Sequence, residues 1–397
     1  MSFIKINSGR IPMNLHALKK FALFAVVFGL ILGGCGPKPI PEESVLDTPD
    51  NHYNQGLREL KVGQLDNAAE EFQRATALDP NYPGGYVGMG LVMAEKGNFE
   101  EALSWVDKGI DKSAQFIDGP IAKGRILTKQ KKGDDWLDRA VSQFERALKI
   151  DPNSEKAYYY MGLAYKEAYA FGEAVTAFGK VVAMKGDFAK DANAEWELVQ
   201  KIQRAAPGTK VGAKIALIPE IDRADLAVLF VEELKLLDLL KKKQPKVYDT
   251  RFRPPTDPTA METAKKESMA AATDIQNHWA KNWIENVIKA GAIEPFPDHT
   301  FRPDEKITRV NYAIFLQNIF VAVTGDETLA TKYIGTPSRF PDVNPTHYAY
   351  NAICLAVDRG IMKADTMDGA FGPSRSVSGA DALLIIRDLQ NELRMTF

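Results

Sequence analysis

The sequence predicts an all-α protein, a solenoid of helix pairs followed by a second, mostly helical array of three units. Three observations carry this expectation. Gly56, Gly90 and Gly124 stand 34 residues apart, each within a recurring set of small and large positions. Asp79-Pro80-Asn81 and Asp151-Pro152-Asn153 place the same turn between such sets. Further on a different pattern repeats: Trp279, Ile284, Gly291 and Ile293 recur as Tyr348, Ile353, Gly360 and Ile361.

Taken in order, the first 34 residues read as a removable address. Lys5, Arg10, Lys19 and Lys20, with no acid among them, precede an uninterrupted apolar run from Phe21 to Leu32. Spanning a bilayer takes roughly 20 apolar residues, so the run fits the core of a signal peptide. Leu32-Gly33-Gly34-Cys35 closes it. That ending resembles the bacterial lipobox, whose cysteine thiol takes a diacylglycerol and whose small residues fit a narrow peptidase pocket. The resemblance implies that Cys35 becomes the acylated first residue of the mature protein. The alternatives are an ordinary signal peptide or a buried cysteine. One acyl chain binds a membrane only marginally, at roughly 0.8 kcal/mol per buried CH₂, whereas the two or three chains of a lipoprotein make attachment effectively permanent. Gly36 follows the cysteine where an inner-membrane retention signal would have Asp. The implied location is the periplasmic face of the outer membrane, or the outer face of the plasma membrane in a monoderm host.

Composition narrows the function classes. A chain of 397 residues with 45% hydrophobic content supports two or three domains with substantial cores. A net charge of −2 argues against nucleic-acid binding. If Cys35 is acylated, only Cys354 remains and no intramolecular disulfide forms. Cys354 lies in the apolar helical pattern Ile353-Cys354-Leu355-Ala356-Val357 and reads as a structural thiol rather than a reactive one. Residues 35–48, with Pro37, Pro39 and Pro41, read as an extended tether; at about 3.1 Å per residue it would reach roughly 45 Å.

The helix pairs occupy residues 49–188. The first has Gly56, Ala68, Phe72, Ala75 and Pro80; the second has Gly90, Ala102, Val106 and Gly109. The third has Gly124, Ala140, Phe144, Ala147 and Pro152, with an insertion near Lys131 to Asp135; the fourth has Tyr158, Gly162, Tyr165, Ala174 and Phe178. Small residues allow two antiparallel helices to cross closely, and a phenylalanine fills the wider gap. The pattern resembles the tetratricopeptide repeat, which implies stacked pairs with a shared core and a concave groove for a protein partner. Tyr158 and Tyr165 fall at packing positions. Tyr159 is the candidate groove contact, with core packing as its alternative. A helix containing Trp196, Leu198 and Ile202 would cap the stack and open the next domain.

Residues 189–397 carry the second array, with units near 189–240, 274–320 and 340–389 and an insertion at 241–273 that includes a polar helix from about Pro258. The stretch from Phe296 to Arg309, ending Lys306-Ile307-Thr308-Arg309, and the opening Phe340-Pro341-Asp342-Val343 resemble the S-layer homology domain. Ile221-Asp222-Arg223-Ala224 opens a degenerate first unit. The resemblance implies three units that bind cell-wall glycan or peptidoglycan in grooves between them. It also implies a cationic group at the Thr-Arg helix start: Arg309 and Arg223, with Thr308 as the N-cap. A guanidinium there would face a carboxylate together with free backbone N–H groups; the alternative is that both arginines brace the threefold core. Gly379 stands where the third unit should have Arg, and Asn311 replaces the usual acid. Trp279 and Trp283 fit core positions beside Val287 by their spacing, with stacking on sugar rings as the other reading.

No nucleophile elbow, phosphate loop or zinc-hydrolase helix is present, and the scattered histidines have no metal-ligand spacing. No catalytic residue, metal or cofactor is expected. The expected function is a non-enzymatic envelope lipoprotein that grips the wall and scaffolds a protein. The alternatives are a pilotin-like assembly factor and, more weakly, a wall-modifying enzyme.

Overall fold

A computed structural model describes residues 39–41, 43–243 and 272–395. The expected signal peptide, Cys35 and the polar helix from about Pro258 lie outside the described residues. Sixteen α-helices and two short 3-10 turns occur among the described residues, with no strand. The chain divides into two compact units between Asn153 and Ser154.

The first unit stacks three helix pairs: α1 (Pro49–Lys61) with α2 (Leu65–Leu78), α3 (Pro83–Glu95) with α4 (Phe99–Lys112), and α5 (Asp118–Gln130) with α6 (Trp136–Ile150). Phe72 and Phe144 are fully buried at their expected positions. Both inter-repeat turns close through the aspartate, Asp79 Oδ1 accepting from Asn81 N at 2.8 Å and Asp151 Oδ1 from Asn153 N at 2.9 Å. Glycine lets α3 lie tight against both neighbours. A Cβ on Gly88 would stand 2.2 Å from the Phe72 ring, and one on Gly90 would stand 2.5 Å from Val106. Gly109 stands where the first and third pairs have Ala, and a Cβ there would lie 2.7 Å from Val87.

The side on which α1, α3 and α5 face one another is filled from within. Tyr53 is 5% exposed, and its hydroxyl donates to Asp118 Oδ2 at 2.7 Å, joining the first pair to the third. Tyr53 and Tyr82 both pack edge-on against Phe116, at centroid distances of 5.7 and 6.3 Å. This face thus carries a cluster of the unit's own aromatic rings.

The expected tether is not free over its described part. Ile40 N donates to Ala77 O at the end of α2. Asp47 is buried, where its carboxylate accepts from Arg74 Nε at 2.9 Å and meets His52 Nε2 at 2.8 Å. The other ring nitrogen of His52 meets Glu71. These charge-assisted contacts offset the entropy of ordering a proline-rich strand, a gain that its composition does not reveal.

The second unit opens with the fourth pair, α7 (Glu155–Glu167) and α8 (Phe171–Met184), followed by α9 (Ala189–Ala205) and α10 (Lys210–Ala216). The first of the three later units ends in α11 (Arg223–Glu232) and α12 (Leu236–Lys243). The second contains α13 (Lys281–Lys289) and α14 (Arg309–Thr324), and the third contains α15 (Tyr350–Asp358) and α16 (Gly379–Met395). One apolar core runs from Phe171 to Leu393, so the fourth pair, read from sequence with the solenoid, belongs to this compact body. As expected, α9 packs on α8 and also on the last helix, α16. Arg387 of α16 donates from Nε to Ala205 O at 2.6 Å and from Nη2 to Glu233 Oε2 at 3.1 Å. Glu233 is fully buried and also accepts from Gly208 N, Thr209 N and the Thr209 hydroxyl. Both carboxylate oxygens thus have two donors each, as a buried carboxylate requires.

Three backbone bonds close the array. Ile307 N donates to Ile221 O, Val377 N to Ile307 O, and Ile221 N to Val377 O, each at 3.0 Å. These are the residues just before the second helix of each unit, and the ring they form fixes the threefold arrangement. Tyr312 ties the three helices together behind it: its ring packs against Phe230 of α11 and its hydroxyl donates to Ala382 O of α16. Cys354 is free and buried in α15, consistent with a structural thiol.

The third unit has no arginine at its helix start because the site is full. Gly379 N donates to Ile218 O at 2.9 Å, and a Cβ on Gly379 would stand 1.8 Å from Ile215 O at the end of α10. Gly379→Ala should therefore lower unfolding stability by about 3 kcal/mol in urea melts, because backbone rather than a flexible side chain must move. An unchanged midpoint would show that α10 does not seat there.

Candidate functional site

The helix starts of the three units share one device. Asp222 accepts from Asp225 N at 2.9 Å, Thr308 from Asn311 N at 3.4 Å, and Ser378 from Asp381 N at 3.1 Å. In the first two the N3 side chain returns the bond, Asp225 to Asp222 N at 3.2 Å and Asn311 to Thr308 N at 3.2 Å. These are capping boxes, and the Asn311 carboxamide takes the place of the missing acid. Thr308 is the N-cap that the sequence indicated.

The residue after each of the first two caps reaches into the next unit. Arg223 donates from Nε to Phe301 O at 2.7 Å and from Nη2 to Glu294 O at 3.0 Å. Arg309 repeats this one unit on, from Nε to Phe371 O at 2.8 Å and from Nη2 to Lys363 O at 2.7 Å. Each guanidinium also lies over the phenylalanine it bonds, 4.6 Å from the Phe301 centroid and 4.5 Å from that of Phe371. The receiving loops are clamped by an aspartate from the start of the same unit. Asp274 accepts from Phe301 N and Arg302 N, and Asp342 accepts from Phe371 N and Gly372 N. Asp274 was not among the candidates. Its signal was the alignment of Thr273-Asp274-Ile275 with Pro341-Asp342-Val343.

The two grooves differ in charge. Arg223 is 5% exposed, and burial pushes its guanidinium down to about 10. Phe296 and Phe315 also flank it, and Arg302 stacks on Phe296 at 4.0 Å while its Nη2 bonds Asp298 at 3.0 Å. That groove is packed, Arg302 is paired with Asp298, and Arg223 bonds backbone carbonyls. Arg309 is half-buried and has a second guanidinium beside it, since Arg375 Nη2 donates to the same Phe371 O at 3.2 Å. Burial, and after it the neighbouring Arg375, push Arg309 below the ordinary arginine value. Arg375 is exposed, stands where the previous unit has Glu305, and folds across Gly372. A Cβ on Gly372 would lie 2.0 Å from Arg375 Nε. Lys363 is exposed at the same loop. Arg309 and Arg375 thus set two guanidinium groups between the second and third units, with Asp342 and Asp381 also acting on Arg309, and motif reading missed Arg375 because only Arg309 is part of the motif.

The remaining candidates lie elsewhere. Trp279 is 57% exposed, which overturns the core reading suggested by its spacing; it precedes α13 and so falls off that helix's apolar stripe. Trp283 is half-buried, with its indole N–H donating to Glu232 at 2.9 Å. Tyr159 is half-buried, with its ring 5.2 Å from Phe188. Burial pushes its phenol up to about 12, with Glu195 and Asp191 adding to the shift. Among the described residues no cluster of His, Cys, Asp and Glu could hold a metal, and no helix is long and apolar enough to cross a membrane.

Comparison with known proteins follows the same division. The S-layer homology domain model matches residues 273–309 and 339–383, and the TPR repeat model matches 56–97 and 133–168. The chain is 32% identical over 84 residues to the cellulosome-anchoring protein of Acetivibrio thermocellus, covering 21% of this chain and 17% of that protein. It is 31% identical over 109 residues to DnaJ homolog subfamily C member 3 of Bos taurus, covering 27% and 21% respectively. The chain thus spans about a fifth of the length of these curated relatives. A solved tetratricopeptide protein of Thermus thermophilus aligns at 15% identity with a TM-score of 0.35, covering 49% of this chain and 96% of that one. One domain type binds cell-surface polymers and the other binds proteins.

The capping boxes generate a pH-dependent expectation. Burial and the adjacent Asp222 push Asp225 up to about 6, above its unfolded value. Its ionisation therefore costs folding free energy, a penalty that grows as pH rises from about 4 to about 6 and is full above that. Asp225→Asn, copying Asn311, keeps the acceptor and removes the charge. Urea melts should show the variant more stable than wild type by about 1 kcal/mol at pH near 8, with the gain lost near pH 4.

Proposed function

From a chain whose N-terminal half carries tetratricopeptide repeats and whose C-terminal half carries S-layer homology domains, we propose a non-enzymatic envelope lipoprotein that holds cell-wall polymer. The paired guanidinium groups of Arg309 and Arg375 carry this reading. They offer an accessible cationic groove to a carboxylate or phosphate on the polymer, and a bidentate arginine contact suits either anion. Thr308 fixes the helix start that aims Arg309. Arg223, whose donors are spent on backbone carbonyls, holds the neighbouring groove closed and supports the ligand groove indirectly. The cellulosome-anchoring protein is a relative whose name fits attachment at the cell surface.

Lipidation at Cys35 would supply the second attachment. With Ile40 docked on α2, only five Cα–Cα steps, with four residues between, separate it from Cys35. At about 3.5 Å per residue they reach about 17 Å, so the repeats would lie close to the membrane. The protein partner would be met on α7 to α9 around Tyr159, beside Asp191 and the Lys166–Glu195 ion pair. The first three pairs carry their own aromatic cluster on the facing side.

Two measurements test the reading. Full-length protein should pellet saturably with purified sacculi from the native host, and Arg375→Glu should reduce pelleting at least about tenfold with its melting midpoint unchanged, because Arg375 is exposed. Pelleting that ignores this reversal would remove the cationic groove from the account. Cys35→Ser should move the protein from the membrane fraction to the soluble one; continued membrane association would refute the lipid anchor.

A further inference from the structure

We infer that the cleft beside Tyr348 is a separate site for the flat face of an uncharged sugar. Tyr348 is 76% exposed at the start of the third unit, and Trp279 is 57% exposed at the equivalent place in the second. Isolated exposed aromatics are ordinary, but recurrence at equivalent positions of two units points to a use. Both rings are held in place by the preceding histidine. His347 stacks on Tyr348 at 4.5 Å and 28°, and His278 lies 5.7 Å from Trp279. His347 Nδ1 accepts from Ala349 N at 3.2 Å, and His278 Nδ1 accepts from Ala280 N at 3.1 Å. The bond fixes the imidazole, and with Nδ1 committed as acceptor the neutral ring carries its proton on Nε2.

Beside Tyr348 lies a cleft of about 360 Å³, at the small end of ligand sites. Ile314, Ile334, Gln317, Thr346 and Asn351 are among its lining residues, and none of the lining residues is an acid, lysine or arginine; the buried Asn351 amide is spent on Gln317, Leu329 and Tyr333, so Gln317 and Thr346 form the polar rim. Ile334 is 68% exposed and extends the apolar floor. The Thr346 hydroxyl donates to Asn344 Oδ1 at 2.7 Å, which leaves its oxygen free to accept. An aromatic plate, a short apolar floor and a neutral polar rim suit a sugar ring, which has one C–H face and a rim of hydroxyls. An anion would find no cationic side chain along this lining. The cleft is also distinct from the cationic groove. Tyr348 precedes α15, whereas the carbonyl of Lys363 that Arg309 bonds follows it, and nine helical residues separate the two by about 13 Å.

The inference rests on the wall-binding reading for the source of the sugar, and the test separates the two. Triacetylchitotriose, a neutral aminosugar trimer, is titrated into full-length protein by calorimetry. Saturable millimolar or tighter binding is expected, retained within about twofold in Tyr348→Phe and in Arg375→Glu, and weakened at least about tenfold in Tyr348→Ala. The exposure of Tyr348 means that the melting midpoint should not move. Absence of binding to folded wild type, or equal affinity in Tyr348→Ala, overturns the site, as does displacement of the trimer by an apolar peptide that binds more tightly. Trimer binding at Tyr348 with no pelleting of sacculi would keep the cleft and refute the wall-binding function. Pelleting without trimer binding would do the reverse.

Discussion

Three hydrogen bonds in a closed ring, among Ile221, Ile307 and Val377, are the constraint on which the C-terminal array depends. Each residue donates to one neighbour and accepts from the other, so no unit can shift without breaking two bonds. The ring sets where each second helix begins. That in turn decides that Arg223 and Arg309 cross into the loop of the following unit rather than lie along their own. The capping boxes serve the same end, because an N-terminus frayed by even one residue would turn the arginine away.

Given this frame, the three inter-unit sites are topologically alike but chemically different. One packs phenylalanines around Arg223, whose donors go to backbone carbonyls. One brings two guanidinium groups onto a single carbonyl. The third is occupied by the carbonyl end of α10 on Gly379. Among these three sites of a pseudo-symmetric scaffold, only the second pairs two guanidinium groups, Arg309 half-buried and Arg375 exposed. The asymmetry comes from two small substitutions, glycine for arginine at 379 and arginine for glutamate at 375.

The N-terminal pairs show how volume is traded between faces. Glycines at 88 and 90 bring α3 close to both neighbours, and the volume saved there is matched by the larger rings of Tyr53, Tyr82 and Phe116 on the facing side. Ile40 and Asp47, ahead of α1, bond to the first pair through Ala77 O, Arg74 and His52.

The helical class, both repeat families, the N-cap role of Thr308, the buried thiol of Cys354 and the inward Phe72, Phe144 and Phe178 were legible in the sequence alone. All depend on spacing along one or two helices, and helical spacing is a local property. The tertiary structure decided what local spacing cannot encode. Trp279 lies outside the apolar stripe because α13 begins two residues after it. Arg375 reaches Arg309 only because Gly372 lets its side chain fold back. Gly379 is a packing requirement because α10, distant in sequence, sits against it. The proline-rich segment is docked because Asp47 finds Arg74 and His52 on helices that follow it. In each case the deciding partner is contributed by another element, and long-range closure, rather than residue type, fixes the outcome.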